Sequence, residues 1–281
     1  MSQLVDMNNL HAVIEEVKNN FIRFYRIESF QAVRSLFKSI NRLCETPRSS
    51  SGNLDFSQTA GIILAFSRMV DGYNLENKDD ILDEDTVILG LMASLLCRHC
   101  LYSYLEDQNN GSDDNIFQEE IHEAVRKIIE KYEFTEEEFE VIKNMVCCAD
   151  INHNFNNTSF KDSTQKKISM MVAAADILGR MSCRNYLEKL LKFYDTARED
   201  MDEYARLKLL KKNIQHYRSV IMNRLEKDLE GFFKLCEVHF SQRYGIGYNM
   251  YVEAIDRQIE FLEDIIQQEP ECYRNRLKRK A

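Results

Sequence analysis

The chain contains very few residues that end helices. Its 281 residues include only 2 prolines and 9 glycines, whereas an all-β chain needs Gly and Pro at many tight turns. Apolar residues recur at three- and four-residue steps through much of the sequence, which is the period of one helix face. We find no stretch with sustained alternation of polar and apolar residues. The sequence therefore predicts an all-α protein.

Helical periodicity extends over most of the length. Thr135 followed by Glu138 has the spacing of a capping box, which marks a helix start. The most hydrophobic helix, 87–105, is expected to be central. The predicted helices are 10–24, 30–44, 56–73, 87–105, 116–132, 136–149, 164–181, 185–199, 206–243 and 248–268. We treat 1–281 as a single domain with an N-terminal helical extension (1–46), a core (50–204), long C-terminal helices (205–269) and a basic tail (270–281).

Charge and apolar content narrow the range of partners. Lys and Arg number 37 against 46 Asp and Glu, giving a formal net charge of −9. An acidic chain lacks the positive surface that binds nucleic acid or anionic membranes, so neither partner is expected. The longest apolar run, 87–96, is too short to span a bilayer. The 8 cysteines lie in apolar helical runs and no secretory signal is visible, so we expect a cytoplasmic protein with reduced thiols.

Four separated segments carry the most specific pattern. They are Asn-Leu-Asp-Phe-Ser-Gln-Thr at 53–59, Ala-Ser-Leu-Leu-Cys-Arg at 93–98, Ile-His-Glu at 121–123 and Ala-Asp-Ile-Leu-Gly-Arg-Met at 175–181. Together they resemble the HD-domain metal-dependent phosphohydrolase superfamily, particularly small bacterial all-α members related in plan to cyclic-nucleotide phosphodiesterases. The similarity runs from about residue 50 to 265. It implies an HD-like multi-helix bundle.

The resemblance also implies where a metal site would lie. Such a site needs imidazole and carboxylate ligands, because a divalent metal binds phosphate oxygens and activates a water. Gln58 stands where the first histidine of the family pattern is expected, and Cys97-Arg98 stands at its paired His-Asp. His122 and Asp176 match the pattern. The expected metal ligands are therefore largely replaced.

Arg98 is the most informative replacement, because a guanidinium brings a fixed positive charge to a cation site. We expect Arg98 to pair with Asp176, and with Asp150 as an outer carboxylate, in place of the metal. The alternative is that Arg98 points to solvent and Asp176 bonds locally. The chain is one residue longer here than the family pattern, so His99 is the other candidate for this position.

These residues predict an HD-like protein that has lost its metal site and acts as a non-catalytic binding or regulatory protein. Arg98 and Gln58 would bind a small phosphorylated ligand, since guanidinium groups suit phosphate oxygens. No cofactor is expected. The alternative is an active phosphohydrolase that uses Mn, Fe, Mg or Zn, with His99, His122, Asp150 and Asp176 as ligands. A third interpretation is a homodimer formed through the long charged helices.

Thiol and imidazole groups suggest a different metal. Zinc or iron ligands are available at Cys97, His99 and Cys100, and again at Cys147, Cys148 and His153. However, the first pair lies inside a hydrophobic helix, and the second pair is adjacent, which directs the two side chains apart. Buried cysteines are the simpler interpretation. The histidines His11, His216 and His239 are interpreted as surface or structural residues.

Overall fold

The computed structural model describes residues 5–45, 56–107, 123, 125–126, 130, 134–197, 202–268 and 276–277. At 43–45, 98–107, 157, 193–197 and 268 it describes the backbone alone. These parts of the chain are helical and contain no strand, which confirms the predicted all-α fold. The helix predicted at 116–132 lies mostly outside the described residues.

Most helix bounds lie within about three residues of those predicted. In chain order, the described α-helices are α1 (Leu10–Phe21), α2 (Gln31–Glu45), α3 (Phe56–Glu76), α4 (Glu84–Asp107), α5 (Glu136–Cys148), α6 (Ser163–Met181), α7 (Tyr186–Ala197), α8 (Glu203–His216), α9 (Leu235–Tyr244) and α10 (Met250–Gln268). The capping box before α5 is confirmed: Glu138 N–H donates to Thr135 Oγ1 at 3.2 Å, and Thr135 N–H donates to Glu138 Oε2 at 2.8 Å.

Helix α3 is enclosed by its neighbours on all sides. Every residue from 58 to 74 is buried. Helices α1, α4, α6 and α9 pack around it, and α4 in turn packs against α2, α5 and α6. Because α3 has no solvent-facing side, its polar residues Arg68 and Asp71 lie inside the protein, where each needs a partner.

Glycines let α3 approach two neighbours at backbone distance. A Cβ built on Gly179 of α6 would lie 2.3 Å from the Ile62 nitrogen, and one on Gly61 would lie 2.7 Å from the Gly179 oxygen. A Cβ on Gly72 would lie 2.1 Å from the Leu235 oxygen of α9. Backbone atoms cannot move aside as side chains can, so these contacts require glycine.

The prediction of one continuous helix over 206–243 is wrong. The structure divides this stretch into α8, two π-helical turns at Tyr217–Ile221 and Arg224–Asp228, a short 3₁₀ turn and α9. The break occurs where Glu230 and Gly231 adopt φ values of 50° and 71°. A right-handed helix cannot continue through left-handed residues.

One hydrophobic cluster joins the two ends of the chain to the middle. It includes Val13 of α1, Phe66 of α3 and Leu262 of α10. The first two helices and the C-terminal helices therefore pack on the same core as the described residues of 56–197. Among the described residues, no helix has the length and apolar character needed to cross a bilayer.

Replacing Gly179 with Ala should destabilise the protein by ~2–3 kcal/mol, because the added methyl group would overlap backbone atoms of α3. Helix propensity alone would favour Ala in α6 by about 1 kcal/mol, so the sign of the change is diagnostic. Urea unfolding followed by circular dichroism measures this difference. The control is Gly247→Ala, since no atom lies within 4 Å of a Cβ at that position. A stable Gly179→Ala variant would contradict the close packing of α3 on α6.

Candidate functional site

Three of the predicted site residues are buried on helices that pack against each other. Gln58 lies on α3, Cys97 on α4 and Asp176 on α6, with exposed fractions of 5%, 0% and 2%. Each pair among these three helices is in contact. The predicted residues from distant segments therefore lie on adjoining elements of one bundle.

Helices α3 and α4 pack against each other in antiparallel directions. Asn74 near the end of α3 accepts a hydrogen bond at 3.0 Å from Leu82 N–H, just before α4 begins, and the Phe66 ring in the middle of α3 lies over Gly90 of α4. The start of α3, which carries Gln58, therefore lies towards the later turns of α4.

Asp176 lies one turn before Gly179 and so close to the backbone contact with α3. Its carboxylate is 3.3 Å from the guanidinium of Arg180, which is 31% exposed and follows it by four residues on α6. The recorded ion pair of Asp176 is thus with Arg180. The side chains of Arg98 and His99 lie outside the described residues, as does the whole of His122, so their pairing with Asp176 stays a prediction.

Asp150 takes a local role in the chain. Its Oδ1 accepts a hydrogen bond from Asn152 N–H at 2.6 Å, which closes the turn after α5. Its backbone oxygen accepts from Arg224 at 2.6 Å. The side chain that was predicted as an outer carboxylate is therefore partly used in shaping this turn.

Arg224 is a buried arginine whose contacts were not predicted from the sequence. Its side chain is buried, and its guanidinium donates to the backbone oxygens of Cys148 at 3.0 Å, Asp150 at 2.6 Å and His153 at 3.0 Å. These acceptors lie at and beyond the end of α5, where a positive charge is favourable. Burial lowers the pKa of Arg224, and the carboxylates of Asp228, Asp150 and Asp176 act in the opposite direction. The guanidinium thus provides a fixed cation near Asp150 and Asp176.

The proposed thiol–imidazole ligands are only partly brought together. Cys148 Sγ lies 3.5 Å from His153 Nε2, and the same nitrogen lies 2.7 Å from Thr158 Oγ1. Burial raises the pKa of Cys147 to about 11 and that of Cys148 to about 12, so both thiols are protonated at neutral pH. Among the described side chains, no three His, Cys, Asp or Glu residues are grouped for a metal ion. The side chain of Cys100 lies outside that set.

The described side chains on α3, α4 and α6 do not fit a hard divalent metal. Such an ion prefers carboxylate, imidazole and water ligands. The described chain offers the amide of Gln58 and the thiol of Cys97 on the adjoining helices, and the Asp176 carboxylate already has a guanidinium beside it. We therefore derive no chemical step through a metal.

A second polar group lies at the other half of α3 and is named here the Asp71 cluster. It links α3 to α1, α9 and α10, and consists of Glu16, Arg23, Arg68, Asp71, His239, Arg243, Tyr244 and Tyr251. Asp71 accepts from Arg243 Nε at 3.0 Å and from a second Arg243 nitrogen at 2.7 Å. His239 Nδ1 donates to Asp71 at 2.7 Å, which supports the structural interpretation of His239.

Arg68 forms the other half of the Asp71 cluster. Its guanidinium donates to the Tyr251 hydroxyl at 3.0 Å and lies 3.5 Å from Glu16. It also lies 5.2 Å from the ring centre of Phe240 and 5.7 Å from that of Tyr251. The aromatic faces stabilise a cation that water does not reach. The sequence carried a signal for this cluster, since Arg68 and Asp71 are charged residues inside an otherwise apolar helical run.

Compared with family models, with curated proteins and with solved structures, the chain matches none of them. The resemblance to the HD-domain superfamily therefore rests on the four sequence segments alone and stays a prediction.

Replacing Arg224 with Met should cost ~3 kcal/mol of stability, because three backbone oxygens would each lose a charged donor. The matched control is Arg218→Met on the preceding turn. Arg218 is 55% exposed and pairs with Glu263 at the surface, so its loss should change the free energy of unfolding by less than ~1 kcal/mol. Chemical denaturation of both variants measures the difference. Equal effects would show that the Arg224 contacts contribute nothing beyond a surface pair.

Proposed function

We propose that the chain is an HD-superfamily phosphohydrolase-like protein that has lost its metal site and acts as a non-catalytic binding or regulatory protein. The ligand class that we propose is a small molecule bearing a phosphate group. The proposal rests on the resemblance of the four sequence segments and on the surroundings of Asp176.

The observation that carries the proposal is the ion pair between Asp176 and Arg180. Asp176 is the residue that best matches a metal ligand of the family, and it is buried. A buried carboxylate requires a compensating positive charge. The Arg180 guanidinium lies 3.3 Å away. A second buried guanidinium belongs to Arg224, and the Asp176 carboxylate acts to raise its pKa. Arginine thus supplies the charge that a metal would otherwise provide.

The identity of the other residues agrees with this interpretation. Gln58 and Cys97 occupy the positions where the family pattern places histidines, and both are buried. An amide and a thiol are weak ligands for the hard cations that assist phosphate-ester hydrolysis. Both groups are able to form hydrogen bonds, which suits a pocket that binds without reacting.

Arg180 also supports a phosphate-bearing ligand. Its Nε is buried and, within the described part of the chain, donates no hydrogen bond. A guanidinium can use two parallel N–H groups on a phosphate while another contacts a carboxylate. Arg180 is also partly exposed, so a ligand has access to it. We propose that Arg180 contacts the phosphate group.

The homodimer remains a separate proposal. The buried face of α10 contains Ile255, Ile259 and Leu262 and packs against α6 and α8 of the same chain. A second copy would therefore have to use other faces of the C-terminal helices. The mass of the protein in solution tests this proposal directly.

The protein should bind inorganic phosphate or small phosphate esters without metal, and Arg180→Gln should weaken that binding at least about tenfold, since one charge-assisted pair contributes about 1.5–3 kcal/mol. Isothermal titration calorimetry measures the affinity. Arg184→Gln is the matched control, because Arg184 is an exposed arginine near the same helix end. Binding that both variants retain unchanged would contradict the role of Arg180.

Elemental analysis of the same protein after incubation with manganese, iron, magnesium or zinc tests the loss of the metal site. We expect far less than about one metal per chain and no hydrolysis of a generic phosphodiester. About one tightly bound metal per chain with hydrolysis would contradict the proposal. It would favour the active enzyme in which His99, His122, Asp150 and Asp176 act as ligands.

A further inference from the structure

The protonation state of His239 follows from its contacts. The His239 side chain is 0% exposed, and its Nδ1 lies 2.7 Å from Asp71 Oδ2. Burial acts to raise the pKa of Asp71, but the hydrogen bonds from His239 and Arg243 keep it below its usual value. An ionised carboxylate can only accept, so His239 Nδ1 carries the hydrogen. Its Nε2 therefore has a free lone pair when the ring is neutral.

His239 Nε2 is buried and has no hydrogen-bond partner among the described residues. A proton added there would create an N–H group with no acceptor and a positive charge with no contact to water. Burying such a group costs free energy in proportion to how poorly it is compensated. The neutral ring fits this position, whereas the imidazolium does not.

The charges around His239 already include more cations than anions. The arginines are Arg23, in the turn after α1, Arg68 of α3 and Arg243 of α9, while the carboxylates are Glu16 of α1 and Asp71 of α3. Among the described residues, the Tyr244 ring centre lies 5.7 Å from that of His239, and Tyr251 lies beside Arg68 in the same cluster. Burial raises the pKa values of both tyrosines and keeps them neutral. Protonation of His239 would therefore increase an existing excess of positive charge.

We propose that the Asp71 cluster is an acid-sensitive switch, in which proton uptake at His239 Nε2 loosens the packing of α1 and α9 against α3. The proton comes from solvent and no other bond is made or broken. The packing of α1 on α3 is affected, because Glu16 of α1 and Arg23, in the turn directly after α1, belong to the same cluster. This inference is independent of the proposed ligand site at Asp176.

The pH range follows from the direction of the His239 shift. Burial lowers the pKa of folded His239 below its ordinary value of 6.5, with a smaller opposing effect from Asp71. The neutral ring then contributes its full stability above the unfolded pKa, and this contribution is lost as the pH falls below about 6.5. The carboxyl of Asp71 has a lowered pKa and titrates only in more acidic solution.

Hydrogen exchange of the full chain at pH 7.5 and pH 5.5 tests the proposal. After correction for intrinsic exchange rates, protection of α1 and α9 amides should fall about tenfold between these pH values. Protection of α4, which has no residue in the cluster, should fall much less. The His239→Asn variant keeps a donor to Asp71 but cannot take up a proton, so its α1 and α9 should stay protected.

Two histidine controls separate this effect from other titrations. Burial also lowers the pKa of His153, which lies near the end of α5, so His153→Asn should keep the loss of protection in α1 and α9. His216→Asn on the exposed side of α8 should keep it as well. Unchanged wild-type protection, or an equal loss in His239→Asn, would overturn the proposal.

If His239→Asn does not fold, nitrogen chemical shifts of the wild-type imidazole provide the second readout. The ring in the folded chain should stay neutral below its ordinary pKa of 6.5, because burial opposes the charged form. A ring that is already protonated at pH 6.5, with α1 and α9 still protected, would overturn the proposal.

Discussion

The backbone contact between α3 and α6 is the constraint on which the rest of the structure depends. Gly61 and Gly179 bring the two helices so close that neither position has room for a Cβ. This contact places α3 inside the bundle, with 58–74 buried. It also positions Asp176 one turn away from the crossing. The candidate ligand site and the Asp71 cluster are thus attached to the same buried helix pair.

Guanidinium groups provide the internal positive charge of this protein. Arg68 stacks on two aromatic rings, Arg224 donates to three backbone oxygens, and Arg243 forms two contacts with Asp71. The Arg180 guanidinium lies 3.3 Å from the Asp176 carboxylate and neutralises its charge. A buried ion pair gains little net stability over well-packed apolar residues, but losing one partner is costly. Arg68, Arg224 and Arg243, whose partners lie on other segments, therefore fix which segments pack together more than they raise overall stability.

The helical fold was predictable because its signals are local. Periodicity, the scarcity of Pro and Gly, and the capping box at Thr135 each depend on residues within one or two helical turns. The interruption at Glu230–Gly231 was missed because a single glycine in a charged stretch does not show that its neighbour also adopts a positive φ. Several helix bounds also differ from the predicted ones by a few residues, because tertiary packing determines where the last turn of a helix ends.

The candidate site was only partly predictable, because its contacts join distant segments. Gln58, Cys97 and Asp176 were identified through the family pattern, and the bundle places them on adjoining helices. Arg224 gave no signal, since its acceptors are backbone oxygens more than 70 residues away. Arg180 was overlooked although it follows Asp176 by four residues, a spacing that commonly forms ion pairs on a helix. The spacing of Asp176 and Arg180 alone is enough to predict their ion pair.

The central claim is that an arginine, and not a metal, neutralises Asp176. A crystal structure of the full chain grown with excess manganese, with anomalous differences recorded at the manganese absorption edge, tests this most directly. The account predicts that the Arg180 guanidinium lies beside the Asp176 carboxylate and that no anomalous peak lies within bonding distance of that carboxylate. A strong peak bound by Asp176, with Arg180 displaced, would contradict it.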